Sequence, residues 1–190
     1  MADAKTLAAR GPLDGRAAPA IAGFTLTLAP DGARFILRAA PTDAQNVAAA
    51  FGAGPSPEPM RVLESGARAA LWLGPDEWLL LAPGEQADTL ASSLEASLAG
   101  VAHSLVDVTH RQIALEIEGA RAARGLNAGC PLDLAERAFP VGMVTRTLLG
   151  KCEIVLWRRG PQRFHVEVWR SFADYAWDFL VEAARRAPKA

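Results

Sequence analysis

Ala67-Arg-Ala-Ala-Leu-Trp-Leu-Gly-Pro-Asp-Glu-Trp-Leu-Leu-Leu-Ala82 holds two apolar runs, 67–73 and 78–82, separated by Gly74-Pro75-Asp76-Glu77. Proline presets the backbone for a turn, and glycine and aspartate tolerate the conformations of a chain reversal, so the stretch predicts a β-hairpin. The next segment has a different period. Within residues 86–98, Ala87, Leu90, Ala91, Leu94 and Leu98 recur at three- and four-residue steps, the stripe of an amphipathic helix. A hairpin followed by a helix able to cover it is half of an α+β domain, because a sheet with an apolar face must bury that face against another layer.

The same alternation extends in both directions. Upstream, residues 24–28 and 33–38 predict two strands around Pro30-Asp31-Gly32, and a helix spans about 43–51 as far as Gly52. Residues 52–59 predict a surface loop, since their prolines exclude both helix and central strand. Downstream, strands are predicted at 101–108 and 112–118, where Ile113, Leu115 and Ile117 alternate with Ala114, Glu116 and Glu118. A short helix runs from Gly119-Ala120 to Gly129, and strands are predicted at 144–149, 152–157 and 163–169. A last helix, 172–186, is opened by Ser171 with Asp174 three residues on, a capping-box spacing.

Leu71-Trp72 recurs 85 residues on as Leu156-Trp157, and the same shift sets Ala87, Leu90 and Leu94 on Phe172, Tyr175 and Phe179. Both halves run strand, helix, hairpin, helix. Read as a repeat, this gives two ferredoxin-like βαββα halves in a compact pseudo-repeat; two unrelated hairpin–helix units would also produce it. The expected division is an extended arm over 1–22, rich in Ala, Gly and Pro, a first α+β half over 23–100, and a second over 101–190 with the C-terminal helix.

Composition narrows the function. The 190 residues are 51% hydrophobic and 22% charged, with a formal net charge of −1, the profile of a globular domain with its own core. Basic and acidic residues are interleaved, so the basic footprint of a nucleic-acid binder and the polybasic cluster of a membrane binder are both missing. The apolar runs are too short to span a bilayer, and Met-Ala-Asp-Ala-Lys is not followed by the apolar core of a signal peptide. Cys130 and Cys152 have no Cys-x-x-Cys spacing, which fits a reduced cytoplasmic compartment.

Catalytic motifs are largely missing. His165 lies in Arg-Phe-His-Val-Glu-Val, where Phe164, Val166 and Val168 take the core face, so it is expected on the polar face in a solvated or interface role. His103 has no ligand-spaced neighbour. His110, after Val106-Asp107-Val108-Thr109, reads first as a turn histidine bonded to Asp107 or to backbone. No His-x-x-x-His, Cys-x-x-Cys or Asp-x-Asp offers a metal site, and no Gly-x-Ser-x-Gly elbow is found. The glycines of Gly125-Leu-Asn-Ala-Gly129 fall at a helix end, where they read as a C-cap and not as a phosphate loop.

The C-terminal helix is more telling. Phe172, Tyr175, Ala176, Phe179, Leu180 and Ala183 form one apolar stripe, while Trp177, Val181 and Ala184 form a second displaced around the helix. Such a helix is covered twice, either by the chain's own N-terminal arm or by a partner subunit. Trp177, and Trp169 on the strand face of His165, are the residue type enriched at protein interfaces.

Val106-Asp-Val-Thr-His-Arg-Gln112, Glu118-Gly-Ala-Arg-Ala122, Gly129-Cys-Pro-Leu-Asp-Leu134, Phe139-Pro-Val-Gly142, Thr145-Arg-Thr147 and Trp169-Arg-Ser-Phe-Ala-Asp-Tyr175, with Leu73-Gly-Pro-Asp-Glu-Trp-Leu79 upstream, resemble the γ subunit of heterotetrameric sarcosine oxidase. The likeness runs in order over about residues 60–182. That family is similar in fold to the folate-binding domain of the glycine-cleavage T-protein, so the resemblance implies T-protein-like halves. It also implies a complex that oxidises sarcosine to glycine, makes hydrogen peroxide, and can pass the one-carbon unit to tetrahydrofolate. In such complexes the α and β subunits carry NAD, FAD and covalent FMN, the δ subunit carries zinc, and the γ subunit has no chemistry assigned. The partners expected are therefore α, β and δ subunits, and no cofactor is expected on this chain alone.

Where the T-protein family places a catalytic acidic pair, this chain reads Cys152-Glu153. One acid is gone and the other is a methylene longer, so Glu153 is expected to be a solvated strand-edge acid. The residues expected to serve an interface or structural motif are Asp107, His110, Arg111, Trp169, Arg170, Tyr175 and Trp177. A subunit of an N-methylglutamate dehydrogenase-type complex, and a free-standing folate-dependent aminomethyltransferase, are the competing expectations.

Overall fold

The structure, a computed structural model, describes residues 11–187. Two five-stranded antiparallel sheets pack face to face, with helices on both outer faces. The strands are β1 (Thr25–Leu28), β2 (Gly32–Ala39), β3 (Val62–Ser65), β4 (Arg68–Gly74), β5 (Glu77–Pro83), β6 (His103–Asp107), β7 (Gln112–Glu118), β8 (Val144–Leu149), β9 (Cys152–Gly160) and β10 (Arg163–Trp169). The helices are α1 (Pro41–Ala44), α2 (Val47–Phe51), α3 (Ala87–Ser97), α4 (Ala122–Asn127) and α5 (Ala173–Arg186). The first sheet has the order β3-β4-β5-β2-β6 and the second β1-β7-β10-β9-β8. This is the α+β class expected.

The hairpin β4–β5 forms as its turn chemistry predicts, with Trp72 opposite Trp78. Alternation sends Ala70, Trp78 and Leu80 toward α1–α3, where Leu90, Leu94 and Leu98 cover them. Residues of the opposite parity, Leu71, Leu79, Leu81 and Ile36, face the second sheet and meet Val144, Val155 and Trp157. A third cluster joins the other face of the second sheet to α4 and α5. Both sheets are thus buried on both faces. The Leu71-Trp72 and Leu156-Trp157 pairs occupy β4 and β9, yet Leu71 faces the other sheet while Leu156 faces the helices. With a side-chain period of two, a one-residue offset inverts the face, so these pairs are not equivalent residue by residue.

Several expectations are corrected. Strands β1 and β2 flank the Pro30-Asp31-Gly32 turn as expected but do not pair with each other: β1 pairs with β7, and β2 pairs with β5 and β6. A turn signal reports reversal, but the pairing partner is set by the sheets on either side. Strand β3 is additional to the expected set; its edge position and mostly exposed residues leave it without an apolar run. The helix expected over 43–51 is two short pieces. The loop 52–59 is less superficial than expected, since Ala53, Pro55 and Ser56 are buried and the Trp78 indole N–H donates to the Ser56 carbonyl at 3.3 Å. Helix α5 starts after a 3₁₀ turn (Arg170–Phe172), and its N-cap is Phe172, not Ser171, with no side-chain capping bond.

The buried stripe of α5 is Ala173, Ala176, Trp177, Leu180 and Ala184, while Phe172 is exposed and Tyr175 and Phe179 are half-buried. Of the arm expected over 1–22, the first ten residues lie outside the described residues. The remainder contains a turn at 12–15 and sends Leu13 into the core cluster that holds Trp177. Arg16 ion-pairs with Asp174 at 2.7 Å and with Asp178. The second cover of α5 is therefore the chain's own arm. Of the two covers expected for Trp177, the arm and a partner subunit, the arm is the one observed: Trp177 is 5% exposed and belongs to the core.

Candidate functional site

The densest cluster of titratable groups lies between the sheets. On β10, Phe164, Val166 and Val168 point at the helices, so His165 and Glu167 point at the other sheet. Glu116 stands opposite His165 on β7, and Arg34 enters from β2 of the first sheet. His165 Nδ1 meets Glu116 Oε1 at 2.8 Å, and Nε2 meets Glu167 Oε1 at 2.9 Å. Carboxylate oxygens only accept, so both ring nitrogens carry a proton and the ring is an imidazolium. Burial by itself would lower the pKa of His165, but the hydrogen bonds it donates to Glu116 and Glu167 outweigh it and raise the pKa above its ordinary range. Burial likewise opposes ionisation of Glu116 and Glu167, and the His165 hydrogen bond, with the arginines, brings both below the usual carboxylate range.

Arg34 Nε donates to Glu167 Oε2 at 2.9 Å, while its Nη1 reaches Asp31 Oδ1 and the Gly32 carbonyl, both at 3.0 Å. Arg159 Nη1 donates to Glu116 at 3.3 Å and its Nη2 to Glu64 of β3 at 3.2 Å; Arg163 Nε also donates to Glu116, at 3.2 Å. The network therefore leaves the first sheet at Arg34, crosses β10, β7 and β9, and returns to the first sheet at Glu64. The Trp157 ring lies 5.6 Å from His165 and carries the Arg159 guanidinium 4.6 Å from its centroid. A cavity of about 260 Å³ adjoins the cluster, walled opposite by small residues including Ala33, Ala69 and Ala82.

This corrects the expectation for His165. It does lie on the face opposite Phe164, but it is 6% exposed because the first sheet covers that face. Alternation tells which residues share a face and is silent about what lies above it. Alternation sets Glu167 beside His165 on one face, but Arg34 and Glu116 are not legible as their partners in the sequence for the same reason. The signal available is a charged residue inside each of three apolar strands.

The motif residues occupy other places. Asp107 ends β6 and accepts the Thr109 backbone N–H at 2.8 Å, so it braces the turn; among the described residues no hydrogen bond joins it to His110. His110 is exposed. The Arg111 guanidinium lies 5.6 Å from the Trp169 ring centroid, and the Arg170 N–H donates to the Arg111 carbonyl at 2.9 Å. These three meet at one end of the second sheet. Tyr175 lies apart, under the β8–β9 turn, where its hydroxyl accepts the Lys151 N–H at 3.1 Å. Glu153 is exposed at the start of β9, inside the sheet between β8 and β10.

Among the described residues, no three of His, Cys, Asp and Glu converge as a metal site. Cys130 and Cys152 are buried and unbridged. No described helix is long and apolar enough to cross a membrane.

Fold and site together define a two-sheet α+β protein in which the buried charges of His165, Glu167 and Arg34 join one sheet to the other. The fold is similar to that of part of a glycine-cleavage aminomethyltransferase T from Bartonella henselae, matched at a TM-score of 0.56 with 15% identity over 83% of this chain and 49% of that one. A chain of the heterotetrameric sarcosine oxidase from Corynebacterium sp. U-96, solved with pyrrole 2-carboxylate, matches at a TM-score of 0.80 with 31% identity, covering 88% of this chain and 87% of that one. Sarcosine oxidase subunits gamma from Corynebacterium sp. (strain P-1) and from Arthrobacter sp. are each 36% identical over 115 residues, 60% of this chain and 56% of theirs. The matched stretch is thus little more than half the length of these relatives. Residues 38–186 match the model of the sarcosine oxidase, gamma subunit family, and the chain belongs to that family.

Proposed function

We propose that this chain is the γ subunit of a heterotetrameric sarcosine oxidase and contributes structure, not chemistry, to sarcosine oxidation. The observation that carries the non-catalytic role is the state of His165. A general base needs a free lone pair and a general acid a proton it can spare to substrate. Both ring N–H groups of His165 are committed to carboxylates, and Arg34, Arg159 and Arg163 occupy further oxygens of those carboxylates. FAD, FMN, NAD, zinc and tetrahydrofolate are then held by the α, β and δ chains, in the cytoplasm, a compartment compatible with two unbridged cysteines.

Residues 23–100 and 101–190 are, in this reading, two halves of a pseudo-repeat. Each half runs two strands, a helical segment, three strands and a helix, and the sheet orders β3-β4-β5-β2-β6 and β8-β9-β10-β7-β1 correspond if the halves exchange their first strands.

Co-expression with tagged α, β and δ chains tests the function. A yellow four-chain complex that makes peroxide from sarcosine is expected, while the isolated chain is colourless and inert. Turnover of N-methylglutamate in place of sarcosine would reassign the complex to the dehydrogenase type. Tight tetrahydrofolate binding by the isolated chain would overturn the non-catalytic role.

A further inference from the structure

Two cross-strand rows face each other at one end of the sandwich. In the first sheet the row reads Glu64, Ala69, Leu81, Arg34 across β3, β4, β5 and β2; in the second it reads Glu116, His165, Trp157 across β7, β10 and β9. The neighbouring row of the first sheet is Val62, Leu71, Leu79, Ile36, and its large side chains fill the space between the sheets. Ala69 stands where that packing would place another large side chain. The cavity of about 260 Å³ beside His165 is lined on its apolar side by Ala69, Leu81 and Trp157. Packed cores leave few voids larger than a water molecule, and this one approaches the roughly 300 Å³ at which small-molecule sites begin.

The polar side of the cavity is positive. Four cations, Arg34, Arg159, Arg163 and the imidazolium of His165, line it against two carboxylates, Glu116 and Glu167. Asp31 and Glu64, the outer partners of Arg34 and Arg159, and Glu118, opposite Arg163, are exposed and lie outside that lining, where water screens them. Hydrogen bonding has the same sign. Each oxygen of Glu116 and Glu167 already accepts a bond from within the network. Arg163 Nη1 and Nη2, Arg159 Nε and Arg34 Nη2, by contrast, have no acceptor among the described residues. Arg34 matters most, because the residue is only 4% exposed. Its Nη2 still keeps accessible surface, unlike Nε and Nη1 of Arg158, which are sealed in without partners. A spare donor on a buried arginine that lines a cavity is a place for an acceptor.

We infer that this cavity binds a small organic monocarboxylate, the carboxylate accepting from the unfilled arginine N–H groups and the apolar body lying against Ala69, Leu81 and Trp157. Charge selects the anion: it compensates a net positive lining, whereas an ammonium would add a fifth positive group. The apolar side selects a carbon skeleton over an inorganic anion, and the volume fits a ligand of benzoate size, far below a dinucleotide. All the groups involved belong to this chain. Binding here makes and breaks no covalent bond, so it is compatible with a subunit that performs no chemistry.

Titration calorimetry of the full chain with benzoate, benzamide and benzylamine tests the site. Benzoate is expected to bind at least about tenfold more tightly than the other two and to shift the His165 imidazole resonances in NMR spectra. Ala69→Leu places a side chain in the cavity; it is expected to abolish benzoate binding and to melt no lower than wild type, since the added atoms fill a void. Arg163→Gln, at a half-exposed position, should weaken benzoate about threefold or more with an unaltered melting curve, and it carries the comparison alone should Ala69→Leu not fold. Absence of saturable benzoate binding, equal binding of benzylamine, or wild-type affinity in a folded Ala69→Leu or in Arg163→Gln would overturn the inference. Sulfate binding as tightly as benzoate would show an adventitious anion only and overturn it as well. The subunit reading stands under each of these results.

Discussion

His165 holds two sheets together by holding two protons. Its raised pKa means that its contribution to stability is complete below about pH 6.5, the ordinary histidine value, and is lost as pH rises through the folded value. Glu116 and Glu167 act with the opposite sign: their contribution is present above about pH 4.3 and is lost as pH falls through their lowered folded values. Stability should therefore peak between about pH 4.3 and 6.5, read from urea midpoints across pH. His103, hydrogen-bonded to Glu95 at the surface, adds to the alkaline arm with solvent screening, so the variant His165→Phe is needed to separate them. That substitution leaves buried Glu167 with Arg34 alone and half-buried Glu116 with Arg159 and Arg163; it should cost about 3 kcal/mol and flatten most of the alkaline arm. An unchanged pH profile in His165→Phe would show that the network is not the source. This histidine and Glu167, two residues along the same strand face, are visible in the sequence, but Glu116 and Arg34 are not, because one arrives from a neighbouring strand and the other from the opposite sheet.

The strands and the last helix show where local signals hold and where they fail. Strands β4, β5, β7, β8 and β10 follow their apolar pattern to within a residue or two of the expected ends. The start of α5 does not follow its capping signal. Ser171 lies within the 3₁₀ turn and makes no capping bond, so Ser171→Ala should change stability by less than about 0.5 kcal/mol, against about 1 kcal/mol for a working cap. The far side of α5 is instead set by packing against the β8–β9 turn. A methyl group added at Gly129 would lie 2.6 Å from Phe179 Cζ and 2.8 Å from the Gly150 backbone nitrogen. Gly129→Ala should cost about 1–3 kcal/mol in chemical denaturation. Phe179→Leu added to it should recover only part of that loss, since the backbone contact remains. Full recovery would show that the aromatic ring is the sole obstacle.

Over the whole molecule, the described part of the N-terminal arm closes the core, and this decides between the two covers expected for Trp177. Leu13 and Trp177 share one buried cluster, so Trp177→Ala should cost about 3–5 kcal/mol and Leu13→Ala about 2–5 kcal/mol in the isolated chain. Loss of assembly by Trp177→Ala with an unaltered melting curve would restore Trp177 to an interface. Arg16, exposed and paired with Asp174 and Asp178, should matter less than Leu13. By itself the sequence determined the α+β class, most strand positions, the hairpin β4–β5 and the family likeness. Each of these depends on residue types at short spacing, which period and turn chemistry express locally. The tertiary structure alone decided that β1 and β2 part into different sheets, that Arg34 reaches Glu167, that the arm covers Trp177, and that a cavity opens beside His165. Alternation gives each side chain a face, but whether that face meets water, a helix or another sheet depends on segments more than a hundred residues away along the chain, as Arg34 is from Glu167 at a separation of 133.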